Sequence, residues 1–139
     1  MEPVIAEGAA FDELQEMRSE GLIRYIGLGV RQHEFHRLAI ELDLADVILT
    51  YLDYTLIQQT AIPLIKLAEK NDVGIILGSP LTGSLLAGPE PKVEVKPELP
   101  TDLPPSLIGS RLDPSVVPLA HQMWQWCDDR GLNIRDLAI

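Results

Sequence analysis

Val73, Gly74, Ile75, Ile76 and Leu77 form an apolar run with no polar alternation, and the run breaks into Gly78, Ser79, Pro80, Leu81, Thr82, Gly83 and Ser84 before Leu85, Leu86, Ala87 and Gly88. Apolar residues without alternation are the pattern of a parallel strand covered on both faces. The small residues and the proline behind it end the strand and leave backbone N–H groups open to a ligand. A loop that holds a phosphate at the carboxyl end of a strand is one reading of this segment. An ordinary strand-ending turn is the other, and the segment alone does not separate them.

The neighbouring segments repeat the theme. Phe11, Leu14 and Met17 lie three apart, with Asp12 and Glu13 early and Gly21 behind, which predicts an amphipathic helix over 11–20 closed by glycine. Residues 23–30, ending in Gly27, Leu28, Gly29 and Val30, mix β-branched and aromatic side chains and predict a short strand. A second helix is expected over 32–42, with Phe35, Leu38, Ala39 and Leu42 on one side, and a second strand over 47–52. A third helix over 62–71 carries Pro63 in its first turn and Asn71 at its stop. The third strand is 73–77. Helix and strand alternating in this way predict parallel strands with right-handed crossovers, an α/β architecture.

Seven of the eleven prolines lie between residues 89 and 114, around the tract Lys92, Val93, Glu94, Val95 and Lys96, which predicts a long irregular loop. A helix is expected over 115–130, with Asp113 as its cap, Pro114 at its first position, and Val116, Leu119, Ala120 and Met123 on one face. Another helical stretch is expected over 133–139. Trp124 and Trp126 lie two apart and cannot share one stripe, so one of them is expected on a partner surface or on the Pro-rich loop.

Charge and cysteine content exclude several functions. A net charge of −10 with only eleven Lys and Arg argues against nucleic acid and against an anionic membrane surface. No apolar window is long enough to span a bilayer, and the residues after Met1 lack a secretory pattern, so a soluble, cytoplasmic chain is expected. Cys127 has no partner for an internal disulfide, and its neighbours Asp128 and Asp129 disfavour a catalytic thiolate. His33 and His36 stand at helical i,i+3 spacing without a third ligand nearby, so no metal is assigned and the pair reads as a solvated helix face. Glu41, Asp43 and Asp46 are read as ordinary helix-end carboxylates and given no chemistry. Neither a P-loop nor a Gly-x-Gly-x-x-Gly dinucleotide fingerprint is present.

Taken in order, these segments resemble the aldo/keto reductase family. The likeness begins at Phe11, Asp12, Glu13 and Leu14, strengthens over Gly21, Leu22, Ile23, Arg24, Tyr25, Ile26, Gly27, Leu28, Gly29 and Val30, and is densest over Ser79, Pro80, Leu81, Thr82, Gly83, Ser84, Leu85, Leu86, Ala87 and Gly88. Gly27, Leu28, Gly29 and Val30, with Tyr54, Thr55 and Leu56, are most similar to its sugar 1-dehydrogenase-like members. The resemblance implies one partial (β/α)8 TIM-barrel domain over 1–139, with the Pro-rich loop at 89–114 and the fifth to seventh barrel strands present. It implies NADP or NAD as cofactor, bound by Gly78, Ser79, Leu81, Thr82 and Gly83, with Ser79 and Leu81 lining its diphosphate channel and Thr82 and Gly83 beside them, where small residues and bare amides admit an anion closely.

The departures carry expectations too. Gly78 stands where many members have a tyrosine that stacks on the nicotinamide. Gly29 and Val30 stand where many have Ser-Asn, and Leu49 or Thr50 stands for a glutamine, so cofactor binding is expected to be weak or absent in this chain alone. The family's catalytic tyrosine and its supporting residues precede the matched segment, and no catalytic residue is assigned: Tyr25, Tyr51 and Tyr54 do not occupy the donor's place. Three strands cannot close a barrel. A homo-oligomer or a complementary barrel half is therefore expected as partner, with a small sugar or carbonyl substrate once the barrel is complete. The alternative is a non-catalytic oligomerisation or scaffold module that keeps the fold.

Overall fold

The computed structural model describes residues 8–91 and 115–139. The Lys92 to Lys96 tract, the body of the Pro-rich loop, and the Asp113 cap with Pro114 lie outside the described residues. Those described form two compact units, one from residues 8–54 with Gln59–Gly78, the other from Thr55–Gln58 with residues 79–91 and 115–139.

The first unit contains α1 (Ala10–Ser19), β1 (Gly27–Gly29), α2 (His33–Glu41), β2 (Val47–Tyr51), α3 (Ile62–Lys70) and β3 (Gly74–Gly78). Its sheet has the order β1-β2-β3 with both pairings parallel, as the alternation of helix and strand predicts. Each helix closes through the same local device. Gly21, Asp43 and Asp72 adopt left-handed φ of 75°, 55° and 58°. The next N–H then reaches back into the helix, Leu22 to Met17 O at 3.0 Å, Leu44 to Ala39 O at 2.9 Å and Val73 to Ala68 O at 2.9 Å. This is the Schellman closure, and it turns an apolar residue back toward the sheet. Asn71, expected as the stop of the third helix, is its cap, while Asp72 takes the left-handed position.

Alternation of side chains gives the sheet two faces. Ile48 is buried against Ile40 of α2 and against Leu64 and Ala68 of α3, with Leu28, Leu67, Val73 and Ile75 packed around them. The opposite face carries Leu49, Tyr51 and Ile76, which remain 38–51 % exposed. The expectation that β3 is covered on both faces is therefore corrected among the described residues: on its helix side Ile75 is partly buried and packs on this core, but Leu77 is 39 % exposed, and on the other side Ile76 is exposed. A salt bridge ties the elements together below the sheet: Arg18 at the end of α1 donates to both oxygens of Asp46 at 3.1 and 3.2 Å, and Asp46 also accepts the Ile26 N–H at 2.7 Å. The carboxylate that the sequence leaves without a role thus fixes the approach to β1 and β2.

Two expectations are corrected. The strand over 23–30 shortens to Gly27–Gly29, because only these residues find a ladder partner, at Val47, Ile48 and Leu49, and Leu22 and Tyr25 lie largely in solvent. β-Propensity without a neighbouring strand makes no ladder. On α2 the buried residues are His36, Ala39 and Ile40, not a stripe through Leu42, which is exposed. Reading His36 as polar rotated the apolar face.

The second unit packs α4 (Val116–Asp128) and α5 (Ile134–Ala138) with the turns of residues 79–88. Leu86, Ala120, Cys127 and Ile134 form its core, joined by Leu81, Leu85, Met123 and Trp124. Leu119, expected on the buried face, is 45 % exposed. Trp124 faces inward and its Nε1–H donates to Gly88 O at 3.0 Å. Trp126 faces outward under the Arg130 guanidinium, 4.3 Å from its ring centroid. Asn133 caps α5 by accepting the Arg135 N–H at 3.0 Å. No helix among the described residues is long and apolar enough to cross a membrane.

Candidate functional site

In a parallel sheet all carboxyl ends point to one edge, and in (β/α) folds that edge is where ligand-binding residues gather. In the first unit β2 ends at Tyr51 beside Gly78, the last residue of β3. The chain then passes through Leu52, whose φ of 63° is left-handed, to Asp53. A non-glycine residue in that region is uncommon and is often held at working sites.

Asp53 is 8 % exposed and gathers polar partners. Its Oδ2 lies 2.5 Å from Nε2 of His33, the first residue of α2, and accepts the hydroxyl of the fully buried Thr50. Its main-chain oxygen accepts the Ala61 N–H at 2.9 Å, which fixes the start of α3. A carboxylate oriented by a hydroxyl and bonded to a half-exposed imidazole can hold or pass a proton.

One turn further along α2, His36 is fully buried and neither ring nitrogen has a hydrogen-bond partner among the described residues. Burial lowers its pKa below 6.5, and the nearby His33 lowers it further. The carbonyls of Leu49 and Leu28 and the Asp53 carboxylate act the other way, without hydrogen-bond geometry to its ring. This corrects the solvated-face reading of the two histidines: one is buried, the other is paired with Asp53. No cluster of three metal-ligating side chains exists among the described residues. The His33–Asp53 pairing was not read from the sequence, and the only signals available were a histidine opening a helix and an aspartate just past a strand.

Gly78, the first of the sequence-assigned cofactor residues, belongs to this unit, and Ser79, Leu81, Thr82 and Gly83 belong to the other. Ser79 to Thr82, Thr82 to Leu85 and Ser84 to Ala87 are three successive turns, closed by bonds of 3.0–3.1 Å. Thr82, Gly83 and Ser84 have φ of 50°, 58° and 80°, three left-handed residues in a row, and Ser79 has 58°. Positive φ at both central residues makes the Thr82–Leu85 turn type I′, a conformation that costs non-glycine residues roughly 1–2 kcal/mol each. The amides of Gly83 and Ser84 donate to no main-chain carbonyl of the described residues. Both residues are exposed. Thr82 is 1 % exposed and its hydroxyl has no partner among the described residues.

The partly buried Leu81 side chain packs on the core of the unit. Strained backbone, free amides and an orphaned buried hydroxyl fit an anionic diphosphate with closely spaced oxygens. The turn supplies hydrogen bonds and no counter-charge, since no Lys or Arg lies within residues 79–88.

The model described as "Aldo/keto reductase family" matches residues 4–139. A D-threo-aldose 1-dehydrogenase from Pseudomonas sp is 34 % identical over 90 residues, a match covering 63 % of this chain and 27 % of that protein. The match thus spans about a quarter of the relative's length.

Proposed function

Because this chain belongs to the aldo/keto reductase family, we propose that it forms the cofactor-holding part of an NAD(P)-dependent oxidoreductase acting on an aldose or another carbonyl and alcohol pair. The observation that carries this reading is the left-handed turn at Thr82, Gly83 and Ser84, with its free amides and its orphaned hydroxyl. The likeness to an aldose dehydrogenase supports the sugar as substrate class.

In this reading the Gly83 and Ser84 amides and the Thr82 hydroxyl donate to diphosphate oxygens. Gly83 admits those oxygens because it has no side chain. When bound, the nicotinamide supplies or accepts the hydride. We assign no proton donor to the described residues, and in this reading further barrel strands supply it. The open edges of the three-stranded sheet and the exposed Leu49, Tyr51 and Ile76 face favour association with a complementary barrel half or with a second copy. That same apolar face supports a second reading, a scaffold module that associates without catalysis.

Titration with NADPH and NADP+, followed by nicotinamide and tryptophan fluorescence, tests the proposal. Saturable micromolar binding that weakens in Thr82→Val supports it. Absence of binding, with an associated and folded chain, favours the scaffold reading.

A further inference from the structure

Two imidazoles share one carboxylate at the start of α2. His33 is bonded to Asp53, and the His36 ring stands one turn on, its centroid 6.4 Å from that of His33. His36 is fully buried, and both its ring nitrogens are without a partner among the described residues. The groups that act on its ring come from the elements around it: His33 from α2, the Leu28 carbonyl from β1, the Leu49 carbonyl from β2 and Asp53 from the loop after β2. Glu34, Arg37 and Glu41 of its own helix are not among them, nor are Lys66, Glu69 and Lys70 of α3. One oxygen of Asp53 is already shared by His33 and the Thr50 hydroxyl. With both imidazoles protonated, the cluster would hold two positive charges against one negative charge, and the buried one would lack an acceptor.

The start of α2 is lightly fastened. Ala39 and Ile40 bury the far end of the helix, Ile40 in the core with Ile48, whereas Arg31, Gln32 and Glu34 are exposed and Gln32 supplies no side-chain cap. The edge strand β1 that leads into it has three residues. Among the described residues, the bond from His33 to Asp53 is the side-chain hydrogen bond that ties α2 to another element.

We infer that His33, His36 and Asp53 form an acid-released latch, in which neutral His36 lets the start of α2 stay fastened to the loop after β2 and protonated His36 frees it while β2 and β3 stay paired. Burial favours the neutral ring, so the proton is taken up when the start of α2 lifts and water reaches the ring. Acid therefore draws the chain toward the lifted state. Lifting parts His33 from Asp53, whose main-chain oxygen also accepts the Ala61 N–H, so the opening reaches the start of α3. The carboxyl edge beside β2 is closed at neutral pH and opens in acid, whatever ligand the chain binds.

Amide exchange of the full chain, corrected for the intrinsic effect of pH, tests the latch. The opening constant at Phe35, His36, Arg37 and Ala61 is expected to rise about tenfold from about pH 7.5 to about pH 5.5, the extent to which an accessible imidazole gains its proton over that interval. Urea at about 1 M should leave these amides nearly unchanged, because a local opening exposes little surface, and should quicken the Ile48 and Ile75 amides, which exchange with the whole unit. His36→Leu, which does not titrate, should lose the acid response. His33→Gln removes one positive charge and offers Asp53 a neutral donor, so it should reduce the response, and it serves where the leucine variant does not fold. No acid response at Phe35, His36 and Arg37, a urea sensitivity there equal to that of Ile48, or a response that persists in full in either variant overturns the latch.

Discussion

His33 Nε2 and Asp53 Oδ2 stand 2.5 Å apart, so the first residue of α2 is bonded to the loop that follows β2. This single contact joins two connections at the carboxyl edge of the sheet, and the Thr50 hydroxyl shares the same carboxylate oxygen. Stability and edge geometry therefore meet at one buried group.

Asp53→Ala removes the acceptor of both partners and leaves the buried Thr50 hydroxyl unsatisfied. The expected loss is about 1–3 kcal/mol, larger than for Asp53→Asn, which keeps one acceptor oxygen. Urea unfolding midpoints of the two variants check the order. Equal midpoints for the alanine variant and the parent would show that the contact is not maintained in solution.

His36 makes stability depend on pH with a definite sign. Its pKa in the folded chain lies below 6.5, its ordinary value, because the charged form is desolvated. Below that ordinary value the unfolded chain binds the proton more readily, so stability falls as the solution is acidified. The contribution is level above about pH 6.5 and declines by at most about 1.4 kcal/mol per unit until the lowered folded-state value is passed. His36→Phe should flatten that part of the profile, measured as the difference between parent and variant in urea midpoints from about pH 7.5 to about pH 5.5, each about one unit from the ordinary value.

Gly78→Ala forces a methyl against Thr50 O and the Tyr51 ring. Since the Thr50 carbonyl belongs to the ladder and cannot swing aside, the expected cost is about 1–3 kcal/mol. Amide exchange should quicken at the carboxyl ends of β2 and β3 and remain as in the parent in α4. Unchanged exchange throughout would contradict the close approach.

The helix closures predict substitutions of opposite sign. Asp72→Gly relieves a left-handed aspartate and is expected to stabilise by about 0.5–1 kcal/mol, whereas Gly21→Ala introduces the same strain and should destabilise by about 1 kcal/mol. Thermal melts of the pair check both signs in one experiment.

Much of the scaffold was legible because its signals are local. The helices over 11–20 and 62–71 were read to within a residue or so at each end, and Gly21 marked its closure without help from the rest of the chain. Ser79 to Gly83 also announced a break in regular structure. That Leu81 would turn its side chain into a core with Ala120 and Cys127 was not readable, because those partners come from a distant helix.

The alternation of helix, strand and helix end was determined by the sequence alone, since a Schellman closure and an amphipathic stripe are built from residues within a turn or two of one another. The extent of β1, the burial of His36, the bond from His33 to Asp53 and the contact of Tyr51 with Gly78 were decided only by the tertiary structure. Each depends on parallel strands lying side by side, and a ladder brings together residues whose local patterns carry no record of their partner.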